Sequence, residues 1–278
     1  MAVGQNYGIN SDSVAGQIFT EESNFKRLFN TAKTKWTDAL TVRVFTNKTD
    51  PLITYDETSL TPLAAAGGKI LHKNDYVDYV VSHNQGQARY IQNLLQEANP
   101  AAKVAEIQKD MLMEQVIPNY DQYAFGRLVS LALTTPLVWT VGDAAGNARN
   151  VTLNARVALR NKRVPMNTLV GVCTEDYLMD AMLSMGTASD TGYSNQAKGK
   201  LPTIGGIPFI TVADDDLPGK TKAIIASTKS VIAPVLISKV RVNNTPDAFD
   251  GTELLFHNVD DTFIYSQKNV GVIVINTP

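Results

Sequence analysis

The sequence of 278 residues contains a single cysteine, Cys173, and only three histidines, His72, His83 and His257. One cysteine cannot form an intramolecular disulfide, so a disulfide-stapled scaffold is excluded. Cys173 ends the apolar run Leu169-Val170-Gly171-Val172-Cys173, where a lone thiol serves as a small hydrophobe. No histidine stands at a metal-ligand spacing from another or from Cys173. Surface or helix-capping positions are expected for His72 and His83 instead.

Charge is scarce too. Charged residues are 19% of the chain, and 25 Lys and Arg against 27 Asp and Glu leave a net charge of −2. A protein that grips nucleic acid tightly carries a basic stripe, because phosphate neutralisation drives binding. The densest basic stretch here, Arg156 to Arg163, reads as the solvated face of a helix. No apolar run is long enough to span a membrane. The opening Met1-Ala2-Val3-Gly4-Gln5-Asn6 lacks the charged head and apolar run of a signal peptide, so no membrane partner is expected.

Catalytic motifs are missing as well. Gly199-Lys200 and Gly219-Lys220 resemble the end of a phosphate-binding loop, but Ser194 and Asp214 stand where the required earlier glycine belongs. Neither GxGxxG nor GxSxG occurs. Asp214-Asp215-Asp216 is the most tempting cluster, since adjacent carboxylates can hold a divalent cation. Successive residues point different ways, however, and Leu217-Pro218-Gly219 closes the segment as a solvated turn. Asp260-Asp261 reads similarly, as a turn between strands. No catalytic, cofactor-binding or metal-binding residue is assigned, and no cofactor is expected. A metal-dependent enzyme using Asp214 to Asp216 is the rival reading from another class.

What is present is an α+β pattern without an internal repeat. Residues 1 to about 23 read as a polar arm, followed by a short amphipathic helix near 21–33 carrying Phe25, Leu28 and Phe29. Residues 40–46 and 71–81 alternate as strands, and between them lies a long segment rich in Thr, Asp, Pro and Gly. Loops of that length inside a compact domain usually have a function. Ala88, Ile91, Leu94, Leu95 and Ala98 share a helical face over 84–98, and the pattern resumes over 101–117. Pro118 kinks or restarts this helical stretch before Tyr120 to Leu133. Further helices are expected over 151–163 and 175–185. Strands are expected over 168–173, 207–212, 223–226, 236–243, 252–267 and 270–276, with a helical turn over Thr228 to Val235.

Three ordered segments carry a family resemblance. The first runs from Asn74-Asp75-Tyr76-Val77-Asp78 to Val116-Ile117-Pro118-Asn119-Tyr120-Asp121-Gln122-Tyr123-Ala124-Phe125, with Asn119 where the family often has Glu. The second is Val164-Pro165, then Thr168 to Val172 and a helix from Glu175. The third is Ile204-Gly205-Gly206-Ile207-Pro208-Phe209-Ile210-Thr211-Val212, then Asp216-Leu217-Pro218. In this order they resemble tailed-phage major capsid proteins of the Hong Kong 97 type, over about residues 70–275.

The resemblance implies an N-terminal arm (1–40) and an extended β-hairpin loop with flanking strands (41–80). It further implies a peripheral domain with a long spine helix (81–135 and 237–278) and an axial domain (136–236). It implies a structural subunit that self-assembles through hexamers and pentamers into an icosahedral shell around double-stranded DNA. The partners implied are a separate scaffolding protein, a portal and weakly touched DNA. The subunit would be made in the host bacterial cytoplasm and end in the virion capsid. Trp36 in the arm and Leu52, Ile53, Leu60, Leu63 and Ile70 in the loop are candidate inter-subunit contacts. An encapsulin-like shell around protein cargo shares the fold and is the nearest alternative.

Overall fold

The computed structural model describes residues 23–29, 34–38, 40–47, 74–92, 104–143, 146–184, 202–243 and 251–278. Contacts divide the chain into a small unit, Ala32–Ser82, and a large unit made of the remainder.

The small unit is a three-stranded antiparallel sheet in the order β1 (Thr34–Asp38), β2 (Thr41–Asn47), β3 (Asn74–Val80). The alternation seen in the sequence sets its faces. Val42 and Val44 are buried, while Phe45 is exposed. On the exposed face Arg43 lies opposite Asp78 and makes a bidentate pair, Nε to Oδ1 and Nη2 to Oδ2, both at 2.8 Å. The same guanidinium stacks over the Tyr76 ring, 3.9 Å from its centroid. β1 was not expected from the sequence; its Trp36 is half-buried opposite Val42. Leu52, Ile53, Leu60, Leu63 and Ile70 lie outside the described residues.

The large unit opens with α1 (Asn24–Leu28), then β4 (His83–Gln92), α2 (Val104–Met111) and α3 (Ile117–Leu131). The expected helix over 84–98 is corrected by β4. This strand pairs with β12 (Gly251–Asp260) in continuous register from Gln92↔Gly251 to His83↔Asp260. The apparent helical face leaned on Leu94, Leu95 and Ala98, which lie outside the described residues. At the sheet's edge β4 takes its backbone pairing from β12 on one side, and of its apolar residues Ile91 alone is buried.

Between α2 and α3 the backbone makes one wide turn of π-helix, Leu112–Val116, where the Ile117 amide donates to the Leu112 carbonyl. Pro118 follows in the first turn of α3. Proline cannot donate the helical hydrogen bond, so the break just before it is the physical result of its missing N–H.

A six-stranded sheet forms the middle of the large unit. Its order is β5 (Leu137–Val138), β14 (Val272–Asn276), β9 (Thr221–Ser227), β6 (Leu169–Thr174), β8 (Ile207–Val212), β7 (Thr203–Ile204). Both faces are covered, which explains its near-continuous apolar strands. Leu169, Cys173, Phe209, Ala223, Ile225, Ile273 and Ile275 pack on α4 (Ala148–Asn161) and α5 (Glu175–Leu183). Val172, Ile210, Ile224, Ala226 and Val272 face the core shared by α1, α2 and α3. Gly171 is required here, since an added Cβ would lie 2.3 Å from the Phe209 ring. Gly205 and Gly206, with φ of 59° and 80°, make the two-residue β7–β8 turn, whose twist demands positive φ at both positions.

β11 (Val235–Asn243), β12 and β4 form a separate three-stranded sheet. Two other expectations are corrected. Thr228 to Val235 is a turn followed by β10 (Val231–Ile232), not a helical turn, because β10 pairs with β13 (Phe263–Ile264). The strand expected over 252–267 breaks at Asp261-Thr262, where the chain leaves β12 for β13.

Candidate assembly surfaces and a buried ionic cluster

Asp214, Asp215 and Asp216 form one 3₁₀ turn between β8 and β9. Lys222 bonds the Asp214 carboxylate, Asp216 accepts from the Ala213 amide at 3.3 Å, and Gln122 on α3 donates to the Asp215 carbonyl at 2.9 Å. Partial burial raises the pKa of Asp216. The Asp214 and Asp216 side chains take separate partners, and the Asp215 backbone ties the β8–β9 connection to α3. Among the described residues no three His, Cys, Asp or Glu side chains converge as a metal site. Cys173 is wholly buried, and desolvation pushes its thiol pKa far up, away from the reactive thiolate.

His83 and the Asp260-Asp261 pair depart from expectation. His83 is neither on the surface nor capping a helix: it is buried at the start of β4. Asp260 ends β12 and Asp261 opens the connection to β13, but both are 0% exposed rather than solvated. His83 Nδ1 lies 3.0 Å from Asp260 Oδ1, and Asn258 Nδ2 donates to the same oxygen. The His83 ring stacks on Tyr123 of α3, centroids 3.8 Å apart and planes 10° from parallel. Tyr123 Oη donates to Asp261 Oδ1 at 3.1 Å, the Thr262 amide donates to it at 2.7 Å, and Arg127 Nε approaches to 3.7 Å.

Two buried carboxylates cost several kcal/mol each unless countercharge and donors surround them. β4, the β12–β13 connection and α3 each supply part of that shell, so the cluster joins the long helix to the three-stranded sheet. His257 is exposed and meets Asn84 Oδ1 at 2.8 Å, while His72 lies outside the described residues.

A second joint fixes α1. The buried Asp121 carboxylate on α3 accepts from Ser23 Oγ at 2.5 Å, the Asn24 amide at 2.9 Å and the Phe25 amide at 3.4 Å. It thereby caps the orphan amides of a helix from another part of the chain. Desolvation raises its pKa to about 6, against the opposing pull of these hydrogen bonds. Neither joint has a local sequence signature: Asp121 lies 96 to 98 positions from Ser23, Asn24 and Phe25, and His83 lies 177 positions from Asp260, so only a fold brings them together.

Open surfaces among the described residues include two with apolar side chains. The outer face of the three-stranded sheet has a concavity of about 500 Å³ lined by Gly86, Ala88, Arg241, Leu255 and His257. The small side chains of β4 create the depression. The exposed sides of α4 and α5 form the other surface, and the Arg156 to Arg163 stretch is solvated there as expected.

No family model matches the chain, and no curated protein matches it in sequence. Its fold is similar to solved structures across nearly its whole length. The capsid structure of the cyanophage P-SCSP1u aligns with a TM-score of 0.63 at 9% identity, covering 100% of this chain and 90% of that one. The mature capsid of bacteriophage PhiM1 aligns at 0.61 and 11% identity, covering 92% and 87%. A virus-like particle from Pyrococcus furiosus aligns at 0.56 and 11% identity, covering 96% and 99%. The α+β architecture of this chain is therefore the fold of phage capsid subunits.

Proposed function

We propose that this chain is the major capsid protein of a tailed phage of the Hong Kong 97 type. It is a non-enzymatic subunit that assembles with its own copies into an icosahedral shell around double-stranded DNA. The observation that carries this reading is the likeness to phage capsid subunits over 92–100% of the chain. The phage capsids among its neighbours favour a DNA container over an encapsulin-like shell for protein cargo. The aspartate turn, engaged by Lys222, Ala213 and Gln122, gives the metal-enzyme alternative no support.

In this reading residues 1–40 are the arm and 41–80 the extended loop with its strands. Residues 81–135 and 237–278 are the peripheral domain, with α2 and α3 as the spine helix, and 136–236 are the axial domain. Trp36, Leu52, Ile53, Leu60, Leu63 and Ile70 contact neighbouring subunits. A separate scaffolding protein and a portal complete the particle, which is assembled in the host cytoplasm. Near-neutral charge suits a wall that must let DNA slide during packing and ejection.

Negative-stain electron microscopy of the purified chain, alone and co-expressed with its neighbouring genes, tests this. Closed shells, or capsomer rings that convert to them, are expected. A persistent monomer or dimer under all these conditions overturns the reading, and shells holding an enzyme instead of nuclease-protected DNA replace it with the protein-cargo alternative.

A further inference from the structure

Opposite charges are segregated on two neighbouring helices. Residues 148–163 hold Arg149, Arg156, Arg160, Lys162 and Arg163 and no acidic residue. α5 holds Glu175, Asp176 and Asp180 and no basic residue. Both helices pack on the same face of the six-stranded sheet, through Val151, Ala155 and Leu159 of α4 and Tyr177, Leu178 and Ala181 of α5. Their opposite sides are left to solvent.

On α4 the outward side is an apolar stripe bordered by arginines. Leu153, Val157 and the nearby Met166 line an open groove of about 700 Å³ together with Arg156, Arg160 and Asn161. Val157 is 57% exposed. Arg156 Nη1 donates to the Gly205 carbonyl at 2.5 Å, which fixes one rim of the groove to the β7–β8 turn. On α5 the outward side is an apolar stripe headed by carboxylates. Glu175, Met179 and Leu183 follow one another at four-residue spacing, so they share a face. Met179 is 54% and Leu183 80% exposed, and Glu175 and Asp176 are also exposed.

Among the described residues neither stripe is covered, so the two do not satisfy one another there. They match in the features that decide docking: large aliphatic side chains against an apolar groove, carboxylates against guanidinium groups. We propose that the α4 groove of one subunit receives the Met179–Leu183 side of α5 from a second copy. The inference rests on the shell-subunit reading above and deepens it by naming a contact surface. The two patches differ, so the contact repeated head to tail builds a ring, the arrangement that a capsomer of the shell reading requires.

Two measurements on the full chain test this, with the wild type run in parallel. Arg160→Glu should lower the assembled fraction about tenfold at low salt, as seen by sedimentation and electron microscopy, and adding Glu175→Arg and Asp176→Arg should restore it. Separately, Val157→Cys and Leu183→Cys proteins are mixed and oxidised. A disulfide-linked dimer is expected in the mixture and in neither variant alone, since Cys173 is buried. Normal assembly of Arg160→Glu, or failure of the charge swap to restore it, overturns the charge match. If Arg160→Glu fails to fold, the cysteine mixture still decides. No cross-linked dimer in the mixture while the wild type forms shells overturns the α4–α5 contact and leaves the shell reading intact. Self-linking of Val157→Cys alone replaces it with a two-fold contact. A wild type that never associates overturns both readings.

Discussion

His83 and Asp260 are register partners at one end of the β4–β12 ladder, and their side chains meet there with Nδ1 and Oδ1 3.0 Å apart. The pair closes the ladder beside α3, under the Tyr123 ring. A polar pair at this place trades the adaptability of an apolar contact for directional bonding, and it ties the strand end to one position on the helix.

Removing one member leaves the other buried without its partner. His83→Ala is expected to destabilise the chain by roughly 3 kcal/mol, read as a lower urea midpoint at unchanged slope. A double-mutant cycle with Asp260→Asn should show a coupling of at least about 1 kcal/mol, and additive losses would mean that the pair is not a unit.

Asp121 gives stability a pH dependence of definite sign. Its folded pKa of about 6 lies above the ordinary carboxylate value of 3.8. The folded state therefore holds the proton more tightly, and this contribution is full below about pH 4 and lost as pH rises through 6. The shift corresponds to on the order of 3 kcal/mol. Ser23, the Asn24 and Phe25 amides and Asp216 are the groups acting on this carboxyl, and Asp216, also raised, contributes in the same direction. Urea denaturation at several pH values should show Asp121→Asn with a shallower fall between pH 4 and 7 than the wild type; parallel curves would refute the assignment.

Gly171→Ala should cost about 1–3 kcal/mol through overpacking against Phe209, lowering the melting temperature by several degrees. Phe209→Leu in the same chain should recover part of the loss, because it vacates the ring atoms that the new methyl would strike.

Leu52→Asp and Leu63→Asp test the proposed loop contacts. Each is expected to leave the melting temperature of the unassembled chain within a degree or two and to lower the yield of shells. A large drop in the subunit's own melting temperature would instead place these leucines in an intramolecular core.

The regular elements were legible where the signal is local. Alternation over Thr41 to Phe45, the helix of α4 and the break before Pro118 all follow from backbone sterics and one- or two-turn periodicity. The order of three short segments pointed to the capsid fold. What tertiary structure alone decided were the pairings at long range. β4 is a strand because β12 offers a complete ladder, and no periodicity within 84–98 reveals that. Asp260 and Asp261 have a turn-like sequence, yet His83, Tyr123, Arg127 and Asn258 make their burial tolerable. Asp121 caps a helix 97 residues away in sequence. Local sequence sets what each segment can form; which form prevails, and which charges can be buried, depends on partners that only the folded chain brings within reach.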